Sequence, residues 1–411
     1  MKRKLRIAYF AEIFPSKSET WVHNEILELQ KLGHEVKVFS TWEAPEIFAP
    51  ELEEFYSITV YKKPLNVFRM IKIIPSVLKT IFIPQVLKAF LFDNKELLQR
   101  AQVIRDCFIL YSLLDVINKF KPDLTYAHFA ATRANLSFLY KAITSVPYII
   151  KIHAGDVFGR TAMFASKVNE SLRVYSISKY NIDFVLNREN NLGKDKLMLN
   201  HCGLNPDTYP FNPHKIHKEQ IEIVTVGRLV RMKGFDILID ACKELVKNTI
   251  NFNVTIIGNG PLKQNLQDQI KHLGLKDYIV LKDYCTPTEI RQYLNYASVF
   301  VLPCRFDTET NTQDGIPVAL MEAMAIGTPV LSTTVSGIPE LIHDNVNGFI
   351  VPPDNPLLLS QKILSVLRME ESELKKIVME ARKKIEVEFN VYELTRELVK
   401  DVESHLLINN N

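Results

Sequence analysis

Glycine is scarce in this chain, at 14 of 411 residues, and proline contributes only 20. A collagen-like or low-complexity polymer is thereby excluded. Cysteine is scarcer still. Cys107, Cys202, Cys242, Cys285 and Cys304 form no Cys-x-x-Cys pair and no even ladder, and they read as reduced thiols of a cytosolic protein. Long apolar runs are missing as well. The longest uncharged stretch, 323–339, is broken by Gly327, Pro329, Gly337 and Pro339, so no membrane-spanning helix is expected. The start MKRKLRIAYF is basic but leads into a polar segment, without the apolar region of a signal peptide. There is no Asp-x-Asp and no His/Asp/Glu/Cys cluster at metal-ligand spacing, so neither a metal nor another cofactor is expected.

What is present is ordinary globular material, 47% hydrophobic and 24% charged. At about 150 residues per domain, the length suggests two or three domains. The net charge of +3 hides an asymmetry: residues 1–201 hold 28 basic and 20 acidic side chains, residues 202–411 hold 22 and 27. Opposite signs suggest two modules facing different partners. The basic excess concentrates in residues 62–92, which carry Lys62, Lys63, Arg69, Lys72, Lys79 and Lys88 among many Ile, Leu, Val and Phe, and no acid. Such a segment suits a surface lying on anionic lipid. A half-buried helical pair with solvated lysines explains it equally well. Nucleic acid fits poorly, because the run is aliphatic rather than rich in Arg and stacking aromatics.

Strands and helices alternate in each half. LRIAYF (5–10) reads as a strand, and the polar loop EIFPSKS follows it. Ser16 and Glu19 have capping-box spacing for a helix with Val22, Ile26, Leu29 and Leu32 on one stripe, which Gly33 stops before the strand HEVKVFS. Further strands are expected at 124–128, 147–153, 173–176 and 196–199. The loop NPDTYPFNP (205–213) is the best linker candidate. Beyond it come strands 221–226, 252–257, 278–282, 298–302 and 329–332. Helices are expected from Pro261, over 287–295 and over 317–326, and 355–408 reads as helical. The fold class is therefore α/β: two tandem doubly wound, Rossmann-like domains with a cleft between them and a C-terminal helical tail. Sheets of this kind bind ligands at the carboxyl ends of their strands.

Candidate site residues sit at such ends. After strand 221–226 comes GRLVRMKGF, in which Arg228 and Lys233 flank a loop that opens a helix, a good place for a diphosphate. Gly258, Asn259 and Gly260 end the next strand, and they serve either ligand contact or a plain turn. The strongest signal is DGIPVALMEAMAIGTPV (314–330): Gly315, Ile316 and Pro317 lead into a helix whose free N–H groups favour phosphate. There Asp314 could contact a sugar, and Glu322, eight residues on in an apolar helix, could accept from ribose hydroxyls. In the first half His128 ends one strand, and His153 with Asp156 ends the next. A lone histidine is more often a satisfied structural residue, but two at successive strand ends suggest a cleft.

Together these residues resemble the retaining glycosyltransferases of family 4, which have the GT-B fold. The E-x7-E pattern of that family matches Asp314 through Glu322, its basic pair matches Arg228 and Lys233, and GNGPL, SGIPELI (336–342) and NGFIVPPDN (347–355) follow in the expected order. The first acid is Asp rather than Glu, and the first loop lacks the paired glycines of many members. FPSKSETWVHNEI, YAHFA, HAGD and DGIPVALMEAMA look most like transferases of bacterial exopolysaccharide, colanic acid or capsule synthesis.

The resemblance implies an acceptor-binding domain at 1–205, with the helix at about 392–411 packed back on it, and a donor-binding domain at 218–391. It implies a metal-independent, retaining transfer from a nucleotide-diphosphate sugar to a polyprenyl-diphosphate-linked saccharide, on the inner face of the cell membrane. Arg228 and Lys233 would neutralise the leaving diphosphate; Glu322 would hold the ribose and Asp314 the sugar, with Gly258, Asn259, Gly260, Gly315, Ile316 and Pro317 around the donor. His128 would lie near the anomeric centre, with Ser18, Glu19, His153 and Asp156 lining the acceptor side. A soluble acceptor, or nucleotide-sugar binding without turnover, are the alternatives.

Overall fold

The computed structural model describes residues 4–16, 19–43, 52–94, 96–159, 161–189, 191–213, 220–248 and 251–408. The chain divides into two compact units, Met1–Gly203 with Val391–Asn411, and Leu204–Asn390.

The first unit opens with β1 (Arg6–Ile13), α1 (Thr20–Lys31), β2 (Glu35–Trp42), α2 (Glu53–Ser57) and β3 (Thr59–Tyr61). Val22, Ile26 and Leu29 of α1 are buried, as their spacing predicts. The expected capping box is not formed. Glu19 is itself the residue ahead of the first turn, and its carboxylate is drawn away to Arg133. Then come α3 (Val67–Ile81), α4 (Pro84–Lys88), a short π-turn over Ala89–Asp93, and the long α5 (Leu97–Phe120). The unit continues with β4 (Leu124–His128), α6 (Thr132–Thr144), β5 (Tyr148–Ile152), α7 (Ala154–Phe158), α8 (Phe164–Glu170), β6 (Arg173–Ser176), α9 (Lys179–Arg188) and β7 (Leu197–Leu199).

Its seven strands are all parallel, in the order β3-β2-β1-β4-β5-β6-β7. Every residue of β4 and β5 is buried, which is why LTYAH and YIIKI read as runs rather than as alternation. Strand order reverses between β1 and β4, where Ile7 faces Leu124 and Phe10 faces Ala127. That reversal sets a crevice at the carboxyl ends of the two strands.

The second unit contains β8 (Ile221–Val226), α10 (Phe235–Val246), β9 (Phe252–Ile257), α11 (Lys263–His272), β10 (Ile279–Lys282), α12 (Pro287–Tyr296), β11 (Val299–Val301) and α13 (Val318–Ile326). It ends with β12 (Val330–Thr333), α14 (Ile338–Leu341), β13 (Phe349–Val351), α15 (Pro356–Arg368) and α16 (Glu371–Glu388). Six parallel strands run β10-β9-β8-β11-β12-β13, with the reversal between β8 and β11. The helix expected from Pro261 starts two residues later, at Lys263, and Pro317 precedes rather than opens α13.

The Pro- and Asn-rich loop read as a linker belongs to the second unit. Asn212 N–H donates to the Ile326 carbonyl at 2.8 Å, and Gly327, with φ +98°, lies so close that a Cβ would sit 2.8 Å from Asn212 O. Arg382 of α16 completes the fastening by donating to the carbonyls of Pro206 (3.3 Å), Tyr209 (2.7 Å) and Ala325 (2.7 Å). The last helix, α17 (Val391–Ile408), returns to the first unit. Leu398, Val399, Val402 and Leu406 join Leu5, Ile7, Val22 and Leu29 in one buried cluster, and Asp401 accepts from Tyr175 O–H at 2.7 Å.

Candidate active site

Just beyond β8 the chain turns through Gly227 and Arg228 into a single 3-10 turn, Arg231–Lys233, and then α10. Arg228 is exposed, and its guanidinium has no partner among the described residues. Lys233 is turned inward, with 16% of its side chain exposed, and forms a short ion pair with the Asp314 carboxylate. Burial alone would pull the Lys233 ammonium down; Asp314 and Cys304 reverse this and hold it above its ordinary value. Arg231, which was not singled out, bridges to Asp307 (3.7 Å) and Glu309 (3.1 Å) in the loop after β11. Two loops at the strand-order reversal are thus tied by charge.

The Gly258-Asn259-Gly260 turn lies against the same loop. Gly258 has φ +152°, and a Cβ on it would come within 1.9 Å of the Gly227 carbonyl oxygen, so only glycine fits. Leu229 N–H donates to Asn259 O at 2.9 Å, and the Asn259 side chain accepts from Gly260 N–H at 2.7 Å. Here the glycines serve backbone packing that shapes the Arg228 loop.

Asp314 also accepts from its neighbour Gly315 N–H at 3.1 Å. Gly315, Ile316 and Pro317 are buried, and α13 begins at Val318 with no side-chain cap, so its first N–H groups remain free to bind an anion. One turn in, Glu322 accepts from Tyr209 O–H at 2.8 Å. Burial raises the Glu322 carboxyl above its usual range, and the Tyr209 hydrogen bond works against that rise. Tyr209 comes from the 205–213 loop, which gave no sign of a site role in the sequence. The second unit therefore brings Arg228, Lys233, Asp314, Glu322 and the start of α13 to one end of its sheet.

In the first unit the strand-end histidines meet, but in the interior. His128 and His153 are 1% and 5% exposed, and Asp156 is 3% exposed. His128 Nδ1 lies 3.0 Å from His153 Nε2, and His128 Nε2 lies 2.9 Å from Glu25 Oε1. The other Glu25 oxygen takes Lys151 Nζ at 2.8 Å, and Lys151 also reaches Asn200 Oδ1 at 2.7 Å. Burial works to raise Glu25, but Lys151 and His128 overcome it and hold the carboxyl far below its usual range. Burial lowers both imidazoles, His153 most.

With Glu25 ionised and both rings neutral, the protons are assigned. His128 gives Nε2–H to Glu25, so its Nδ1 must accept Nε2–H from His153. His153 Nδ1 is then an acceptor, in keeping with its place opposite the Asp156 N–H in a capping box at the start of α7; the Asp156 carboxylate accepts His153 N–H at 2.9 Å. Burial pushes Asp156 up to about 6.

His153 lies between rings, with centroids 4.2 Å from Phe129 and 5.9 Å from Trp21. Glu19 pairs with Arg133 at 2.9 and 3.2 Å, and Arg133 stacks over Phe129 at 4.6 Å. Ser18 lies outside the described residues. His128 and His153 thus form a buried polar chain with Glu25, both nitrogens of His128 being occupied by other side chains, and Asp156 is buried beside them.

Sequence reasoning missed Glu25, Lys151 and Arg133. Two of them carried a signal. Glu25 stands on the buried stripe of α1, three residues from Val22, and Lys151 interrupts a wholly apolar strand.

Residues 210–384 match the family described as glycosyl transferases group 1. The putative colanic acid biosynthesis glycosyltransferase WcaL of Salmonella typhimurium is 26% identical over 405 residues, covering 96% of this chain and 98% of that protein. The amylovoran biosynthesis glycosyltransferase AmsK of Erwinia amylovora is 28% identical over 418 residues, covering 97% and 99%. Among solved structures, Anabaena Alr3699/HepE in complex with UDP and glucose superposes with a TM-score of 0.71 at 16% identity, over 97% of this chain and 100% of that one. Sucrose-phosphate synthase from Thermosynechococcus elongatus gives 0.72 at 14% identity, over 99% and 100%. At such identities these structures speak for the fold alone.

Proposed function

The chain belongs to the group 1 glycosyl transferases, and from that premise we propose that it builds exopolysaccharide, moving a sugar from a nucleotide-diphosphate donor held by the second unit to a lipid-linked saccharide. The observation that carries this reading is the cluster at the head of the second sheet: Arg228 exposed, Lys233 paired with Asp314, and α13 opening uncapped beside them. The relatives named for colanic acid and amylovoran biosynthesis support the exopolysaccharide assignment.

In this reading the bond from the anomeric carbon to the β-phosphate oxygen breaks, and a bond to the acceptor hydroxyl oxygen forms as that hydroxyl releases its proton to solvent. The nucleoside diphosphate departs carrying the extra negative charge. Arg228, Lys233 and the α13 N–H groups meet that charge from fixed positions. Glu322 accepts from the ribose hydroxyls through the oxygen that Tyr209 leaves free, and Asp314 takes a hydroxyl of the transferred sugar. Retention of configuration is what the family resemblance implies.

Calorimetric titration with UDP-, GDP- and ADP-sugars in the presence of EDTA tests the donor assignment. One nucleotide class should bind without metal, and Arg228→Ala should weaken it roughly ten- to hundredfold. Folded protein that binds none of the three would overturn the reading.

A further inference from the structure

The segment with no acid in 62–92 becomes a bent pair of helices with an uncovered outer face. Asn66 caps α3 by accepting from Arg69 N–H at 2.8 Å. Helical spacing then sorts the side chains. Val77 and Ile81 turn inward and join the buried cluster of α5 and α6. Val67, Ile71, Ile74, Leu78 and Phe82 form a stripe on the adjoining side, every one of them exposed, with Phe68 beside it at 79%. One position further round the helix stand Lys72 and Lys79, also exposed.

The apolar surface does not end with α3. Phe92 in the π-turn is 74% exposed and Leu97 at the start of α5 is 81% exposed. Asp93, the first acid after the segment, is spent inward, accepting from Ser166 N–H at 2.8 Å. So many large apolar side chains exposed along one segment mark an interaction site.

We propose that this face docks on the surface of an anionic lipid bilayer, with its Phe, Ile and Leu side chains entering the acyl boundary and its lysines among the headgroups. Charge selects the occupant: Lys63, Lys72, Lys79 and Lys88 are exposed, and residues 62–92 offer no carboxylate to a basic partner or to a second copy of the same face. Geometry selects the mode. Val67–Ile81 and Pro84–Asp93 together have the length and composition of a broken span, but they meet at 83° and bury Val77, Ile81, Val86 and Ala89 in the core of the first unit, so the pair lies along the surface. That the lipid-linked acceptor is met at this surface rests on the function proposed above; the docking itself does not.

Flotation of the full chain with phosphatidylcholine vesicles, with and without phosphatidylglycerol, tests the proposal. Binding should require the anionic lipid and weaken as salt is raised. The triple variant Phe68→Ser, Ile71→Ser, Phe82→Ser and the double variant Lys72→Glu, Lys79→Glu should each lose about tenfold or more in partitioning. All of these side chains are exposed, so circular dichroism and donor binding in vesicle-free solution should be unchanged. Failure to float with anionic vesicles would overturn the proposal, as would floating that both variants leave intact. So would a dimer in sedimentation that the triple variant dissolves, which would assign the face to a second copy. Loss of donor binding in the unaltered chain would instead count against the transferase reading and leave the docking standing.

Discussion

Lys233 and Asp314 neutralise one another. The cation proposed to meet a diphosphate is held, in the protein alone, by the carboxylate proposed to meet the sugar. Donor binding must then exchange one partner of Lys233 for another, so the two residues should respond differently to substitution. Lys233→Ala should weaken nucleotide binding and lower turnover together. Asp314→Asn should lower turnover by roughly ten- to a thousandfold while leaving affinity for the free nucleoside diphosphate equal or higher. Titration of each variant with nucleoside diphosphate, beside its transfer rate, makes the comparison; weaker nucleotide binding by Asp314→Asn would refute the exchange.

Tyr209 fixes one oxygen of Glu322 and so sets which oxygen is left for a ligand. Removing its hydroxyl in Tyr209→Phe should cost donor affinity a factor of about five, near the net value of one ordinary hydrogen bond. Glu322→Ala should cost turnover roughly tens- to thousandsfold. Equal, negligible effects on donor affinity and rate would remove Glu322 from the site.

The Glu25–His128–His153 chain gives a prediction that needs no substrate. Nitrogen-15 spectra at neutral pH should show both rings protonated at Nε2 and bare at Nδ1. Glu25→Gln leaves Lys151 buried without its counter-charge and should destabilise the protein by about 3–5 kcal/mol in urea unfolding. A change below about 1 kcal/mol would mean that Lys151 finds another partner.

His23 offers a cleaner pH test. Stacked on Phe55 at 4.6 Å, with Nε2 buried and unpartnered, it is lowered by burial to about 4. The unfolded chain therefore takes up this proton first as pH falls below the ordinary histidine value. The stability that His23 contributes while neutral is complete above about pH 6.5 and is lost as pH falls toward 4. His23→Phe should accordingly gain about 2–3 kcal/mol relative to wild type on going from about pH 7.5 to about pH 4.5. Parallel curves for the two proteins would contradict the assignment.

Much of the fold was legible because fully buried parallel strands announce themselves as apolar runs. The strands at 124–128, 173–176 and 252–257 fall where the sequence places them. Thr59–Tyr61 and Phe349–Val351 escaped notice: each is three residues long at a sheet edge, too short for any period to emerge. Residues 314–322 were legible because one uninterrupted segment carries them. Glu25 meets His128 across 103 residues, and no local pattern could join them. The histidines stood out by residue type, whereas their burial depended on partners supplied by other elements.

Leu204 N–H donates to the Phe389 carbonyl at 2.8 Å, and Leu204 pairs with Asn390 in a parallel bridge, so the second unit begins and ends at one place. In topological terms residues 204–390 are a cassette inserted into a single-domain host, which resumes at Val391 with the helix that closes its own core. The tail helix is thus bound to the fate of its host: synthesis of the whole cassette must finish before the first unit can complete its fold. Removal of α17 would strip Leu5, Ile7 and Leu29 of their cover while leaving the cassette whole.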